Sequence, residues 1–309
     1  MTKQKYFIFA FYNFVNLEDP ETLKRSILRL CIEKNIKGTI LVAKEGINGT
    51  IAGHKENIDP VAKKLTQSFK LKKPNFKWSK SNSPPFRRLK VRLKNEIVTM
   101  GVSMVDPNKE VGDYVEPNEW NNIISDPNVV VIDVRNSYEV EIGSFPTAIN
   151  PSIRKFGEFP NWLEKNREKL EGKQVAMFCT GGIRCEKSTS YLKTLGYKRV
   201  YHLKGGILNY LSSVKKANSL WEGECFVFDE RVSVVHGVKE GEHLLCRACG
   251  EPISPTDTYS TKYEEGVSCH KCFEYYSSEQ KARFKERQRQ YNSSDKQHEE
   301  HLVKLLEEL

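Results

Sequence analysis

The sequence of 309 residues predicts a multidomain α/β protein, and three of its features support that prediction. Residues 1–100 alternate strand and helix patterns in the order β-α-β-β-α-β, which matches the ferredoxin-like plan. Residues 129–209 alternate buried β-branched runs with helical patterns, which is typical of a parallel sheet. Beyond residue 225 the segments become short and contain two Cys-x2-Cys pairs. We therefore expect an N-terminal ferredoxin-like α+β domain, a central α/β parallel-sheet domain and a small four-cysteine segment.

The elements of the first domain follow from local patterns. KYFIFAFYNF alternates like a strand, and EDPETLKRSILRLCIEKN has helical apolar spacing with an acidic first turn. GTILVAKEGINGTIAG contains two β-branched runs, and we expect Gly46-Ile47-Asn48-Gly49 to form the turn between them because Asn-Gly favours hairpin turns. ENIDPVAKKLTQSF fits a second helix, and FRRLKVRLKNEIV fits the last strand.

The central domain is predicted from alternating strands and helices. NVVVIDVR, KQVAMFC and RVYHLKGG read as buried strands, while PNWLEKNREKLEG and EKSTSYLKTLG read as helices that stop at glycine. This alternation predicts a parallel sheet with helices on both faces. The predicted organisation is a basic domain over 1–104, a linker over 105–119, the parallel-sheet domain over 120–220, a cysteine-rich segment over 221–277 and a charged helical tail over 278–309.

The positive charge is concentrated in the first domain. Residues 1–100 hold 21 Lys+Arg against 8 Asp+Glu, a net of +13, whereas residues 101–309 hold 28 against 32, a net of −4. This imbalance favours a polyanionic partner for the first domain. Its last stretch interleaves aromatic and basic residues. Cations can neutralise the phosphates of RNA while aromatic rings stack on unpaired bases. The alternative is an ordinary solvated strand face. The RNA-binding candidates are Lys72, Lys73, Lys77, Trp78, Arg87, Arg88, Lys90 and Arg92.

The N-terminus lacks the long apolar region of a signal peptide, and no run reaches 18 apolar residues. We therefore expect a cytoplasmic protein without a membrane partner. Its eight cysteines are interpreted as metal-binding or catalytic because the cytosol keeps thiols reduced.

The segment CTGGIRC, residues 179–185, predicts a reactive thiol. Cys179 ends a buried strand and a helix follows, which is where open α/β sheets place their ligands. Gly181 and Gly182 allow several N–H groups to point inward, and Arg184 can supply a cation, so the thiol pKa is expected to fall. The alternative is a plain strand-to-helix turn. Cys185 is either a resolving thiol or only a small residue at the start of the helix.

Cys246, Cys249, Cys269 and Cys272 form two Cys-x2-Cys pairs with 19 residues between them. This spacing predicts one structural zinc ion, because four thiolates complete a tetrahedral site and leave no open position. The alternative is four unconnected buried cysteines.

The segment from Val129 to Asn209, with VVVIDVRNSYEVEIGSFPTAINPS, CTGGIRC and YLKTLGYKRVYHLKGGI, resembles a rhodanese domain. The resemblance implies that Cys179 carries a persulfide and that Asp133 and Arg135 support the loop. Phosphatases with a related loop place five residues between cysteine and arginine. Here only Thr180, Gly181, Gly182 and Ile183 intervene, so the cradle suits one sulfur or oxygen substituent better than a phosphoryl group.

The order of AKEGINGTIAG, CTGGIRCEKS and a cysteine-rich segment after CFVFDERV resembles the bacterial rhodanese-like tRNA uridine hydroxylases. This resemblance implies an oxidoreductase that uses molecular oxygen to convert the wobble uridine of tRNA to 5-hydroxyuridine, with Cys179 as the catalytic residue. The expected partner is the anticodon region of tRNA, and neither DNA nor a membrane. No flavin or nicotinamide fingerprint is found in the sequence. The alternatives are sulfur transfer from a thiosulfate-type donor through a Cys179 persulfide and a non-catalytic RNA-binding adaptor.

Overall fold

The structure is a computed structural model, and it describes residues 5–73 and 75–292. It confirms the mixed α/β class, with an α+β domain, a parallel sheet and a four-cysteine cluster. The first domain consists of β1 (Tyr6–Phe14), α1 (Pro20–Glu33), β2 (Lys37–Ala43), β3 (Gly46–Gly53), α2 (Lys55–Ser68), β4 (Phe76–Ser81) and β5 (Leu89–Leu93).

The first sheet has five strands in the order β4-β1-β3-β2-β5. Strand β4 was not predicted from the sequence. The strand predicted over FRRLKVRLKNEIV is β5, which is added to the sheet at the edge opposite β4 and runs parallel to β2. Four strand spacings separate β4 from β5, which amounts to about 19 Å. The basic residues that are contiguous in sequence are therefore divided between opposite edges of one sheet.

The predicted turn at Gly46-Ile47-Asn48-Gly49 is wrong. The hairpin turns at Lys44 and Glu45, and all four of those residues belong to the central strand β3. The glycines serve close packing between strands: a Cβ at Gly49 would lie 2.9 Å from both Phe11 Cζ and the Thr39 carbonyl oxygen. Glycine in a strand interior often marks such a close backbone approach, so the Asn-Gly signal was misleading here.

The second domain is built on a parallel sheet. Its elements are β6 (Asp113–Val115), α3 (Pro117–Ile124), β7 (Val129–Asp133), α4 (Ser137–Val140), β8 (Gly143–Ser144), α5 (Phe159–Lys165), α6 (Arg167–Leu170), β9 (Gln174–Phe178), α7 (Ile183–Thr194), β10 (Val200–Leu203) and α8 (Gly206–Ser213). Four of these strands pair in parallel in the order β6-β10-β9-β7. Strand β6 and the start of α3 lie within the segment 105–119 that was predicted as a linker. The helix predicted over PNWLEKNREKLEG is divided into α5 and α6 at Asn166, whose side-chain amide donates to the Trp162 carbonyl.

Both faces of the parallel sheet are covered, as the apolar strands predict. On one face Ile132 and Met177 pack with Phe159 of α5 and Leu192 of α7. The opposite face packs against α3 and α8 in a second buried cluster. Alternate residues of one strand therefore enter different cores, which explains why these strands read as continuous apolar runs.

The C-terminal part is made of short elements: β11 (Glu222–Gly223), β12 (Cys225–Phe226), β13 (Ser233–Val235), β14 (Lys239–Glu240), β15 (Leu244–Leu245), β16 (Pro252–Ile253) and α9 (Ser278–Asn292). Three 3-10 helices occur as well, at Phe156–Glu158, Lys216–Asn218 and Pro255–Tyr259. The rest of the predicted charged tail, 293–309, lies outside the described residues. Within the described ranges, no helix combines the length and the apolar character needed to cross a bilayer.

Candidate active site and metal site

Cys179 lies between the end of β9 and the start of α7, and its side chain is fully buried. Gly182 adopts φ +109°, a left-handed conformation that suits glycine, and this turn brings its N–H group to 3.2 Å from the Cys179 sulfur. The loop therefore folds around the thiol and presents donors to it, as the two glycines predict.

The surroundings of Cys179 favour its thiolate form. Burial raises its pKa, but the Cys185 thiol, the Arg184 charge and the N–H groups of Cys185 and Gly182 lower it to about 5. The adjacent Cys185 behaves oppositely, because burial and the neighbouring thiolate raise its pKa well above the usual value. Near neutral pH the pair consists of a Cys179 thiolate that accepts a hydrogen bond from a protonated Cys185. A resolving role for Cys185 stays a prediction.

Arg184 is held in place by Glu139. Its two terminal nitrogens lie 2.5 and 2.8 Å from the two Glu139 oxygens, and Thr180 Oγ1 donates to the same carboxylate at 3.2 Å. Burial raises the pKa of Glu139. The charge and hydrogen bonds of Arg184, with smaller contributions from other groups, together outweigh burial, so the net shift is downward and the pair is ionised. This bidentate arrangement fixes the cation beside the thiol. Our sequence analysis missed Glu139, although Asn136-x-x-Glu139 forms a capping box at α4.

A second buried ion pair supports the same region. Arg135 Nε and Nη2 donate to the two Asp133 oxygens at 2.9 and 2.6 Å, and both side chains are completely inaccessible. Arg135 Nη1 also donates to the Glu139 carbonyl oxygen at 3.1 Å. The Asp133–Arg135 pair is thereby connected to Glu139, the residue that orients Arg184, which is the position expected for loop support.

The N-terminal domain covers the loop and contributes side chains to it. Lys77 Nζ donates to the Gly181 carbonyl oxygen at 2.9 Å. Burial lowers the Lys77 pKa to about 8. The negative charges on Cys179 and Glu186 raise it, but by a smaller amount. Tyr12 and Tyr114 both donate to Glu186, at 2.8 and 3.0 Å. Burial raises the Glu186 pKa.

These contacts bring residues from β1, β4, β6 and α7 to the Cys179 loop. Lys187, on α7, pairs with Glu45 at 2.9 Å and also with Glu96, so that two carboxylates of the first domain hold the helix that follows the loop. Apart from the prediction that Lys77 binds RNA, these residues were not predicted to belong to the site. Glu45 lies within AKEGINGTIAG and Lys187 within CTGGIRCEKS, but the two are distant in sequence, so no local signal indicates that they pair.

The RNA-binding candidates do not form one patch. Lys72, Lys73, Lys77 and Trp78 lie in or just before β4, on the side that reaches the Cys179 loop. Arg88, Lys90 and Arg92 lie in or beside β5 at the opposite edge. Arg87 stacks on the Tyr291 ring of α9 and donates to its carbonyl oxygen. The structure thus separates the candidates into two groups, and it assigns Arg87 a packing contact.

The four cysteines predicted to bind metal meet at one point. Their sulfur atoms all lie within 4.8 Å of one another, and three of the four residues are buried. The Cys246–Cys272 and Cys249–Cys269 sulfur pairs are each 3.9 Å apart, and Cys269–Cys272 is 3.7 Å. This cluster can hold a metal ion.

Comparison with known proteins agrees with this architecture. The UPF0176 acylphosphatase-like domain matches residues 6–97, and the rhodanese-like domain matches residues 116–213. A protein of Brucella anthropi named tRNA uridine(34) hydroxylase is 51% identical over 290 residues, which cover 94% of this chain and 95% of the relative. A protein of the same name from Brucella ovis is 50% identical over 296 residues, covering 96% and 97%. The chain belongs to the tRNA uridine(34) hydroxylase family.

Proposed function

We propose that this protein is an enzyme that hydroxylates C5 of the wobble uridine in the tRNA anticodon, giving 5-hydroxyuridine, with molecular oxygen as co-substrate. One observation carries the proposal: a buried Cys179 thiolate lies under a basic domain, in a chain about half identical over nearly its whole length to proteins named tRNA uridine(34) hydroxylase. The reaction inserts one oxygen atom of O₂ into the C5–H bond, and the other oxygen atom leaves as water after taking up two protons and two electrons from an external reductant. The cysteine loop supplies the reactive group of the protein.

We assign the roles of the loop residues from their contacts. Cys179 is the catalytic residue, because its pKa of about 5 leaves it as a nucleophilic thiolate at neutral pH. The Gly182 N–H group and the Arg184 charge stabilise that thiolate, and Glu139 holds Arg184. Asp133 and Arg135 act as positioning residues through the Arg135 bond to the Glu139 carbonyl.

Two further groups can hold or transfer protons next to Cys179. Glu186 is a buried carboxyl with a raised pKa, and Lys77 is an ammonium group with a pKa near 8. Burial raises the pKa of the Glu186 carboxyl and lowers that of the Lys77 ammonium group, and shifts in these directions suit general acid and base catalysis. Hydroxylation removes the hydrogen from C5, so a nearby proton acceptor and donor fit the chemistry.

We propose that the metal held by the four cysteines is zinc. Zn–S bonds of about 2.3 Å in a tetrahedron require sulfur–sulfur distances of about 3.8 Å. Three of the six sulfur pairs of the cluster measure 3.7, 3.9 and 3.9 Å, and all six lie within 4.8 Å. A zinc ion closed by four thiolates has no open position, so its role is structural and oxygen does not bind there.

The test is nucleoside mass spectrometry of tRNA from cells that lack the gene and carry either the wild-type protein or Cys179→Ser. We expect 5-hydroxyuridine and its derivatives to return with the wild type and to stay absent with Cys179→Ser. Equal zinc content and equal thermal unfolding of the two purified proteins provide the folding control.

Other outcomes would overturn the proposal. If Cys179→Ser restores hydroxylation, Cys179 is not the catalytic residue, and an adaptor role fits better. If cells that lack the gene lose thiolated nucleosides but keep 5-hydroxyuridine, the protein transfers sulfur and does not hydroxylate.

A further inference from the structure

Two clefts flank Trp78 of β4. The first has a volume of about 430 Å³ and lies between the domains, lined by residues that include Lys73, Phe76, Lys77, Trp78 and Lys204. The second, of about 390 Å³, lies further along the strand, where Trp78 is joined by Phe7, Lys55 and Lys80. Trp78 is 43% exposed and belongs to both clefts. An exposed tryptophan thus marks the junction of two concave basic surfaces.

The chemistry of the two clefts suits a nucleotide chain. Each cleft combines aromatic rings with ammonium groups, and each has a volume in the range of about 300–1,000 Å³ that is usual for ligand sites. The ion pairs Glu116–Lys204 and Asp59–Lys55 carry no net charge, so the net positive charge of the clefts comes from Lys73, Lys77 and Lys80. In single-stranded RNA, bases stack on aromatic rings while cations neutralise the phosphates. Trp78 is positioned to stack on a base between two cationic surfaces.

The first cleft ends beside the reactive loop. Lys77 lines the cleft and donates to the Gly181 carbonyl. Lys204 and Asn209, on its other wall, bracket a segment whose N–H groups bond the loop: Ile207 donates to the Cys179 carbonyl at 2.9 Å and Leu208 to the Thr180 carbonyl at 3.1 Å. A nucleotide in this cleft would therefore lie next to the backbone that carries Cys179.

The opposite edge of the sheet, formed by β5, is not next to the reactive loop. Arg88 and Arg92 are exposed at β5, about 19 Å across the sheet from β4 by strand spacing. Equal numbers of positive charges can therefore be removed at the two edges, with different distances from the reactive loop.

We propose that the anticodon loop binds as single-stranded RNA around β4, with one base stacked on Trp78 and the neighbouring nucleotide in the first cleft, and that the β5 edge does not bind it. This inference rests on the proposed function for the identity of the RNA. It adds Lys80 to the binding surface and removes Arg88, Lys90 and Arg92 from it.

The experiment measures binding of a fluorescently labelled anticodon stem-loop RNA to the full-length protein over a range of salt concentrations. The test variant is Lys73→Ala/Lys80→Ala, and the matched control is Arg88→Ala/Arg92→Ala; all four side chains are exposed. We expect the test variant to raise Kd at least about tenfold and to reduce the salt slope by about 1.4, since each single-strand phosphate contact contributes about 0.7. The control should change Kd less than about twofold. Equal losses in the two variants, or a larger loss in the control, would overturn the inference.

Stacking is tested separately. Trp78→Ala should weaken binding on the order of tenfold, whereas Trp78→Phe, which keeps an aromatic face, should retain most of the affinity. An unlabelled single-stranded RNA should compete better than a fully paired one. Unchanged binding by Trp78→Ala, or equal competition by both RNAs, would contradict the stacked single strand.

Binding is measured without turnover, so the two proposals can fail independently. Cells that lack 5-hydroxyuridine despite wild-type protein would contradict the proposed reaction and leave the binding asymmetry intact. Equal effects at the two edges would contradict only the binding surface.

Discussion

The loop of Cys179 and the cluster of Cys246, Cys249, Cys269 and Cys272 use the same side chain for opposite purposes. Cys179 is a buried thiol that the neighbouring Cys185 thiol, the Arg184 charge and backbone donors convert to a thiolate. In the cluster, the four sulfurs are arranged around one point and can be satisfied by one metal ion. The groups around a cysteine thus decide whether it reacts or only binds, because a thiolate closed off by a metal is no longer available as a nucleophile.

The two regions also differ in what holds them in place. The loop follows a strand buried in the parallel sheet, and two buried ion pairs, Asp133–Arg135 and Glu139–Arg184, support it. The cluster lies among two-residue strands, and Ile253 is the one buried aliphatic residue that packs with its cysteines among the residues described. We infer that the loop is preorganised by the protein, whereas the cluster depends on its metal.

The largest expected effect is the loss of the metal. Cys246→Ser should abolish stoichiometric zinc, and because metal binding to such sites contributes on the order of 10 kcal/mol, the segment around the cluster should unfold. Hydrogen exchange should show residues 244–276 losing protection while β7 and β9 keep theirs. Cys179→Ser is the matched control and should retain one zinc per chain. Zinc binding by Cys246→Ser at the wild-type level, or loss of zinc from Cys179→Ser, would contradict the assignment of the metal to the cluster.

A smaller effect is expected when the support of the loop is removed. Glu139→Gln leaves the Arg184 charge buried without its carboxylate, and breaking such a pair costs about 3–5 kcal/mol. The free energy of unfolding from urea denaturation measures this loss. Glu141→Gln is the control, because Glu141 is half exposed and its surface pair with Lys271 is worth at most about 1 kcal/mol. Equal losses for the two variants would mean that Glu139 does not support the loop.

Much of the fold and the centre of each site could be predicted from sequence. Alternating residues predicted β1, a β-branched run predicted β7, a buried apolar run predicted β9, and two Cys-x2-Cys pairs predicted the cluster. These signals are local. Strand β4 was missed because Lys77 and Lys80 give it a polar appearance, and the place of β5 in the sheet depends on tertiary pairing that no local pattern contains.

The residues around the loop were less predictable for the same reason. Lys77 reaches the Gly181 carbonyl across 104 positions, and Tyr12 reaches Glu186 across 174. Lys77 read as one more surface lysine in a basic stretch, and only the packing of the first domain on the loop gives it another role. Glu139 had a local signal, the capping box, but that motif predicts a helix start and not a partner for Arg184.

The protein groups around Cys179 are sufficient to make it a thiolate at neutral pH. The direct test is the pH titration of thiolate absorbance in the wild type, from which the same titration of Cys179→Ser is subtracted. The cysteines outside the loop cancel in this difference, and burial raises the pKa of Cys185, so it does not titrate near pH 5 in either protein. We expect a midpoint near pH 5, with the thiolate present above that pH and protonated as the pH falls below it. A midpoint at or above about 8.5, the usual value for a free cysteine, would contradict it.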